Sequence, residues 1–304
     1  MSQRFHWLFF LALAAIPALP MGTDRGFVLL LLTRAIIAAI AAIGLAFIVG
    51  AGGLISFGHA AFVAIGAYTV AMLDAAGYNF LPAVLPAALI AGALFAAATG
   101  AVALRTRGVN FIMITLAFAQ MVFFTLGSLD SYGGDDGYTL AARSAMLGWQ
   151  PLRTPAGIYL TSLLALAACY FLSRTLIASR FGRILRALRQ NRARVQTLGF
   201  NVFAMELTAY TIAGAIAALS GVLLANATEF VVPAYASWQR SGEFLVMVIL
   251  GGAARASGAP MGAIIGAFAV VLAEEGLARV TEHWRLIFGP ALVLAVLLAR
   301  RPTA

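Results

Sequence analysis

The chain has no lysine, because all 20 of its basic residues are arginine. A phosphate-binding loop of the GxxxxGK(S/T) type needs that lysine, so the chain is not its own ATPase of that kind. Any energy for work must come from a gradient or from a partner. Cysteine is nearly absent too. Cys169 stands alone inside an apolar run, which excludes an internal disulfide or a CxxC metal or redox motif, and it reads as an inert packing residue. Charge is scarce: 10% of the 304 residues are charged, against about 25% in soluble proteins. With 62% hydrophobic residues, there is too little polar surface to cover a soluble globule.

What is present is a series of apolar runs, including 27–49, 80–104 and 202–225. Each is long enough for a helix to cross a bilayer core, which takes about 17–25 residues. Barrel strands alternate apolar and polar residues, whereas these runs are apolar on every face, so helices are expected. Hydropathy gives about ten segments, at 6–22, 27–49, 53–73, 80–104, 109–127, 156–177, 202–226, 243–257, 260–277 and 284–299. The first has a basic residue, Arg4, before a short apolar run, as in a signal peptide. It lacks a convincing small-residue cleavage site after Pro17 and Pro20 and is read as a retained helix.

The arginines sit between the segments, where they orient helices rather than bind nucleic acid. The connection 178–201 holds Arg180, Arg183, Arg186, Arg189, Arg192 and Arg194 without an acid, and is assigned to the cytoplasm. Alternation then places Arg4, Arg105 with Arg107, Arg255, and Arg300 with Arg301 on the same side, with both termini. The 128–155 loop, with Asp130, Asp135 and Asp136 against Arg143 and Arg153, falls in the periplasm. Pairing residue n with n+200 matches Gly52 with Gly252, Gly58 with Gly258, Ile65 with Ile265, Gly66 with Gly266, Ala67 with Ala267 and Val70 with Val270. Two parallel pseudo-repeats are expected from this.

Several constellations carry chemistry. Ser56 and His59 follow a glycine-rich stretch, and polar groups at that depth need a partner or a water-filled cavity. They either close tight helix packing or line a translocation path. No acid lies nearby in sequence to orient the imidazole, so a Ser–His nucleophile is disfavoured. Thr115 and Gln120 lie five apart and do not share a helix face, so at least one should bond a neighbouring helix. Glu206 is an ionisable group inside an apolar segment and joins the candidate path, while Arg34 stays open between path and partner contact. Glu274 and Glu275 read as snorkelling residues. The 133–137 stretch GGDDG lacks the spacing of a calcium loop and reads as a solvated turn that docks a partner. His6 and His283 have no ligand cluster, so no metal site is expected. From 181 onward, Phe181, Ile184, Leu185 and Leu188 recur at helical spacing, which describes a short amphipathic helix. It either lies on anionic lipid or docks a cytoplasmic motor.

The chain resembles the branched-chain amino acid permeases of ATP-binding-cassette importers over nearly its whole length. The resemblance rests on GGLISFGHAAFVAIGAYT at 52–69, LRTRGVNFIMITLAFAQM at 104–121, GGDDG at 133–137, SRFGRILRALRQNRARVQTLGFN at 179–201 and TEHWRLIFGPALVLAVLL at 281–298. It implies an all-α polytopic permease domain over 1–304 in the bacterial inner membrane, working by alternating access. The implied partners are a homologous second permease, two cytoplasmic ATP-binding subunits that use ATP and Mg, and a periplasmic substrate-binding protein. No cofactor is implied for this chain itself, and no catalysis. The segment matching 179–201 contains the family's coupling helix, and Gly182, Arg186, Arg189, Gln190 and Gly199 are the positions carried over. Two departures stand out: Gln190, where the family often has Glu, and Ala254-Arg255-Ala256 in a usually glycine-rich stretch. Relatives carry urea, short amides or aromatic acids as well as branched-chain amino acids. Apart from the resemblance, a gradient-driven transporter or channel is the competing class, with Glu206 as its essential acid, and an intramembrane hydrolase is a distant third.

Overall fold

Hydrocarbon offers the backbone no hydrogen-bond partner, so a chain this apolar satisfies its N–H and C=O groups within helices. The computed structural model describes residues 3–18, 25–146, 152–252, 260–280 and 289–290. Along these residues run α1 (Gln3–Ala15), α2 (Arg25–Ala46, prolonged by a π-helical turn Phe47–Gly52), α3 (His59–Ala75), α4 (Leu81–Ala103), α5 (Val109–Gly127) and α6 (Pro155–Ala178). Then come the short α7 (Arg180–Gln190) and α8 (Arg192–Thr197), followed by α9 (Val202–Thr228), α10 (Trp238–Leu250) and α11 (Pro260–Val280). Six of these helices, counting α2 with its π turn, are long and apolar enough to cross a membrane, and α3 is a shorter apolar helix. Apart from residues 289–290, the expected helix over 284–299 lies outside the described residues, as do Arg255, Arg300 and Arg301.

Two expected boundaries are corrected. The segment expected from residue 53 becomes helical only at His59, because Gly53 takes a left-handed φ of 70° that ends the preceding π turn. The segment expected at 243–257 occupies Trp238–Leu250 instead. Its first turns carry Gln239, Arg240, Ser241 and Glu243, so a hydropathy window starts too late.

From Ala35 onward α2 is apolar all round and accordingly buried; Ala35, Ile36, Ile40 and Ile43, with Phe47 of the π turn, have no exposure. It pairs with α9 where Gly44 abuts the Ala213 carbonyl. Helices α3 and α4 pack on α9, while α10 and α11 pack on α2. The connections sort onto two ends. At one end, the close of α2, the start of α3, the α4–α5 turn, α7 and the start of α9 meet around a cleft lined by Gly52, Ile55, Arg107, Leu188 and Glu206. At the other, Asp74 at the end of α3 accepts hydrogen bonds from the Ala141 N–H (2.8 Å) and the Tyr138 hydroxyl (3.2 Å). There Asn226 of α9 accepts from the Ser144 N–H at 2.8 Å, and Leu81 N–H donates to the Ala145 carbonyl at 2.8 Å. A two-stranded antiparallel ribbon, β1 (Tyr138–Thr139) on β2 (Phe230–Val231), completes this cap. The 133–137 turn, expected to be solvated, keeps Asp135 and Asp136 exposed, while the stretch 138–146 that follows it is stitched to three helix ends.

The packing supports a different repeat from the parallel one expected at a spacing of 200 residues. That spacing pairs α2–α3 with α10–α11, yet α10 packs directly on α11, whereas α2 and α3 barely touch. Helix order matches better at a spacing near 178: α9, α10 and α11 begin 177, 179 and 179 residues after α2, α3 and α4. The two triplets exchange partners, each packing its second and third helices on the first helix of the other. They also run in opposite directions, since the end of α2 and the start of α9 line the same cleft. Close helix packing places small residues at many spacings, so the glycine and alanine matches at 200 residues do not by themselves establish the parallel pseudo-repeats.

Candidate functional site

The arginine-rich connection folds into a clamp. Ser179 caps α7, its hydroxyl donating to the Leu176 carbonyl (2.6 Å) and accepting from the Gly182 N–H (3.4 Å). Gly182 is buried in the α6–α7 corner, where a Cβ would collide with the Ile177 and Leu176 carbonyls. The last carbonyls of a helix lack intrahelical donors. Here Arg183 donates to Ala178 O at 3.0 Å and Arg186 to Ile177 O at 2.8 Å. Arg189 reaches the Gly50 carbonyl in the π turn of α2. The apolar face expected of α7 is present: Leu185 and Leu188 are buried, and Phe181 stacks on Phe47 with ring centroids 6.4 Å apart. Asn191 caps α8 and Asn201 caps α9 through their side-chain oxygens, and Gly199 between them has a φ of 83°. Of the five positions carried over, Gly182, Arg186 and Arg189 hold α7 to its own chain. Gln190 is exposed, on one face with Arg183 and Ala187.

Just inside this clamp lies a polar layer. The Glu206 carboxylate, 3% exposed, is 3.0 Å from Arg107 of the α4–α5 turn and 3.3 Å from Arg192 of α8. One helical turn on, the Tyr210 hydroxyl is hydrogen-bonded to the Ser56 and Thr99 side chains. Thr115 of α5 accepts from the Phe57 N–H at 3.2 Å and donates to the Ile112 carbonyl at 2.9 Å, so the expected link to a neighbouring segment exists. Ser56 also accepts from Gly58 N–H at 3.2 Å, and Ser241 of α10 accepts from Ala60 N–H at 3.1 Å. The non-helical stretch before α3 is therefore bonded to α5 and α9, and the first turn of α3 to α10. His59 is fully buried against the edge of Phe62, with centroids 5.6 Å apart. The hydrogen-bonding group beside its imidazole is the Ala41 backbone rather than the Ser56 hydroxyl, so Ser56 and His59 do not form a nucleophile–base pair. Gln120, half-buried further along α5, stands apart from this group.

The sequence reading missed Arg107 and Arg192 as partners of Glu206, and it missed Tyr210. The signal available was the i, i+4 spacing of Glu206 and Tyr210, which puts both on one face; nothing in the sequence brings Arg107 to them. Towards the other end, Arg34 pairs with Glu274 at 3.2 Å, and Glu275 with Arg279 at 3.3 Å. Glu274 is thus paired within the bundle rather than simply snorkelling.

The family model for the branched-chain amino acid transport system / permease component matches residues 27–297. The chain belongs to this family. It is a polytopic membrane permease component. The high-affinity branched-chain amino acid transport system permease protein LivM of Salmonella typhimurium (strain LT2) is 30% identical over 95% of this chain and 73% of its own length. The LivM of Escherichia coli (strain K12) has the same identity and coverage. The ribose import permease protein RbsC of Escherichia coli (strain K12) is 26% identical over 86% of this chain and 81% of its own. No solved structure matches the permease.

Proposed function

We propose that this permease is one of two homologous membrane subunits of an ATP-driven importer in the bacterial inner membrane, carrying amino acids with apolar side chains by alternating access. The observation that carries the reading is α7, an amphipathic helix fixed to α6 and α2 by its buried face and arginines, with Arg183, Ala187 and Gln190 turned outward. Such a helix presents a rigid surface to a motor that the chain itself lacks. The α7–α8 end faces the cytoplasm, with both termini, and the Asp74–Tyr138 cap faces the periplasm and a substrate-binding protein. Two cytoplasmic ATP-binding subunits hydrolyse MgATP beneath the permease.

Higher identity and coverage of this chain by the LivM relatives than by the ribose permease favours branched-chain amino acids over a sugar. Urea, short amides and aromatic acids are the alternatives within the family. The competing gradient-driven transporter needs a membrane acid free to load and release an ion. Glu206 is instead held by two arginines, which argues against that class. The test is leucine uptake in proteoliposomes. The importer reading expects uptake only with the ATP-binding subunits, the binding protein and internal ATP, and uptake by the chain alone under a proton or sodium gradient would overturn it.

A further inference from the structure

Glu206 occupies an unusual position: one buried carboxylate is shared by cations from two different elements. Arg107 belongs to the turn between α4 and α5, and its terminal nitrogen lies 3.1 and 3.0 Å from the two carboxylate oxygens. Arg192 opens α8 in the clamp segment and lies 3.3–3.5 Å away. The carboxylate itself starts α9, the helix on which α2, α3 and α4 all pack. Beside this triad a cleft of about 200 Å³ separates Leu188 and Arg189 of α7 from Ile55, Arg107, Phe111 and Glu206.

We propose that Glu206 is the joint through which movement of the α7–α8 segment reaches α9 and the α4–α5 turn. The proposal rests on the importer reading above. Stranding a buried carboxylate without a cation is expensive, so a contact that must open and close in every cycle needs a way to avoid it. Two cations on one carboxylate supply that way. Arg107, bonded to both oxygens, is the resident partner, and Arg192, on the longer contact, is the exchanging one. When the clamp segment swings away, Arg192 leaves and Glu206 stays neutralised. On return, the contact re-forms and pulls on α9. The excursion is that of the α8 end, where Arg192 meets Glu206, because Arg186 and Arg189 keep α7 tied to α6 and α2. Glu206 is thus a positioning residue, and the two arginines differ in role although both touch the same group.

The test uses the whole transporter, this permease with its partner permease, ATP-binding subunits and binding protein, in liposomes with leucine as the probe. ATP hydrolysis and leucine uptake are measured together, and melting midpoints are measured on the same preparations. Arg192→Ala is expected to lower leucine imported per ATP hydrolysed about fivefold or more, the usual span of a coupling free energy, while melting stays at the wild-type midpoint. Arg107→Ala is expected to lower the melting midpoint. Glu206→Gln keeps the side chain's shape and one of its two acceptor oxygens but not its charge, and it should lose coupling like Arg192→Ala; Arg192→Lys should restore part of it. A wild-type ratio of uptake to hydrolysis in both Arg192→Ala and Glu206→Gln overturns the joint while leaving the importer intact. A wild-type complex that imports leucine without hydrolysing ATP overturns the importer reading, and the joint with it.

Discussion

Gly66 of α3 lies so close to Ala218 of α9 that a Cβ at position 66 would coincide with the Ala218 carbonyl. Gly221 stands in the same relation to the Val63 carbonyl, and Gly92 of α4 to the Ala218 side chain. Lipid tails are as apolar as leucine, so helices in a membrane associate through close van der Waals packing, which small residues permit. Gly66→Ala must therefore push α3 off α9, with an overpacking cost of at least about 1–3 kcal/mol. A lower melting midpoint in detergent is expected for this variant. Gly26→Ala, at a position with open space around it, should melt like the wild type.

The two faces of α7 make a second prediction. Arg186 is half-buried and bonded to the end of α6, so Arg186→Ala removes an internal tie and should lower the melting midpoint by the worth of a charge-assisted bond, about 1.5–3 kcal/mol. Ala187 is exposed beside Arg183 and Gln190. Ala187→Trp should leave melting unchanged but abolish co-purification with the ATP-binding subunits. If Ala187→Trp still co-purifies with them at wild-type yield, the docking face lies elsewhere.

The helical architecture was legible because lipid imposes it: uniformly apolar runs at 80–104, 109–127, 156–177 and 202–226 became helices within a few residues. The amphipathic character of α7 was legible for the same reason, since Leu185 and Leu188 recur at helical spacing. Less could be read where polar residues enter a crossing, as at Trp238–Glu243, or where a glycine interrupts one, as at Gly53. The candidate site was half visible. Ser56, Thr115 and Glu206 stand out as polar groups in apolar company. Tyr210, the partner of Ser56, and Arg107, the partner of Glu206, come from segments distant in sequence, and only three-dimensional packing joins them. The glycine matches that suggested a parallel repeat are close-packing residues such as Gly66 and Gly266, each facing a neighbouring carbonyl for reasons of its own.

At the opposite end, the Tyr138 hydroxyl donates to Asp74 at 3.2 Å. Burial first, and then the Asp74 carboxylate and this hydrogen bond, raise the Tyr138 pKa above its ordinary value of 10.0. A raised pKa means that the fold favours the neutral phenol. The contribution is therefore fully present below the ordinary tyrosine pKa and is lost as pH rises through the folded-state value. The melting midpoint of the wild type should exceed that of Tyr138→Phe at neutral pH, and the gap should close in the alkaline range. A gap that persists unchanged well above the tyrosine range would show that the hydroxyl's proton is irrelevant to the cap.

Arg34 and Glu274 offer the last test, because they pair at 3.2 Å while 45% and 21% exposed. Arg34 lies nine residues into α2 from Arg25, roughly 13 Å along the axis at 1.5 Å per residue, a depth at which a lone charge is costly. Removing one partner strands the other, and the two losses should differ. An arginine left behind can snorkel towards the interface on its long stem, whereas a glutamate has less reach. Arg34→Leu should thus lower the melting midpoint more than Glu274→Leu. The double variant should recover part of the loss, with an interaction energy of about 0.5–3 kcal/mol in a double-mutant cycle. Strictly additive melting shifts would mean that the pair is idle and that each charge finds water or lipid headgroups on its own.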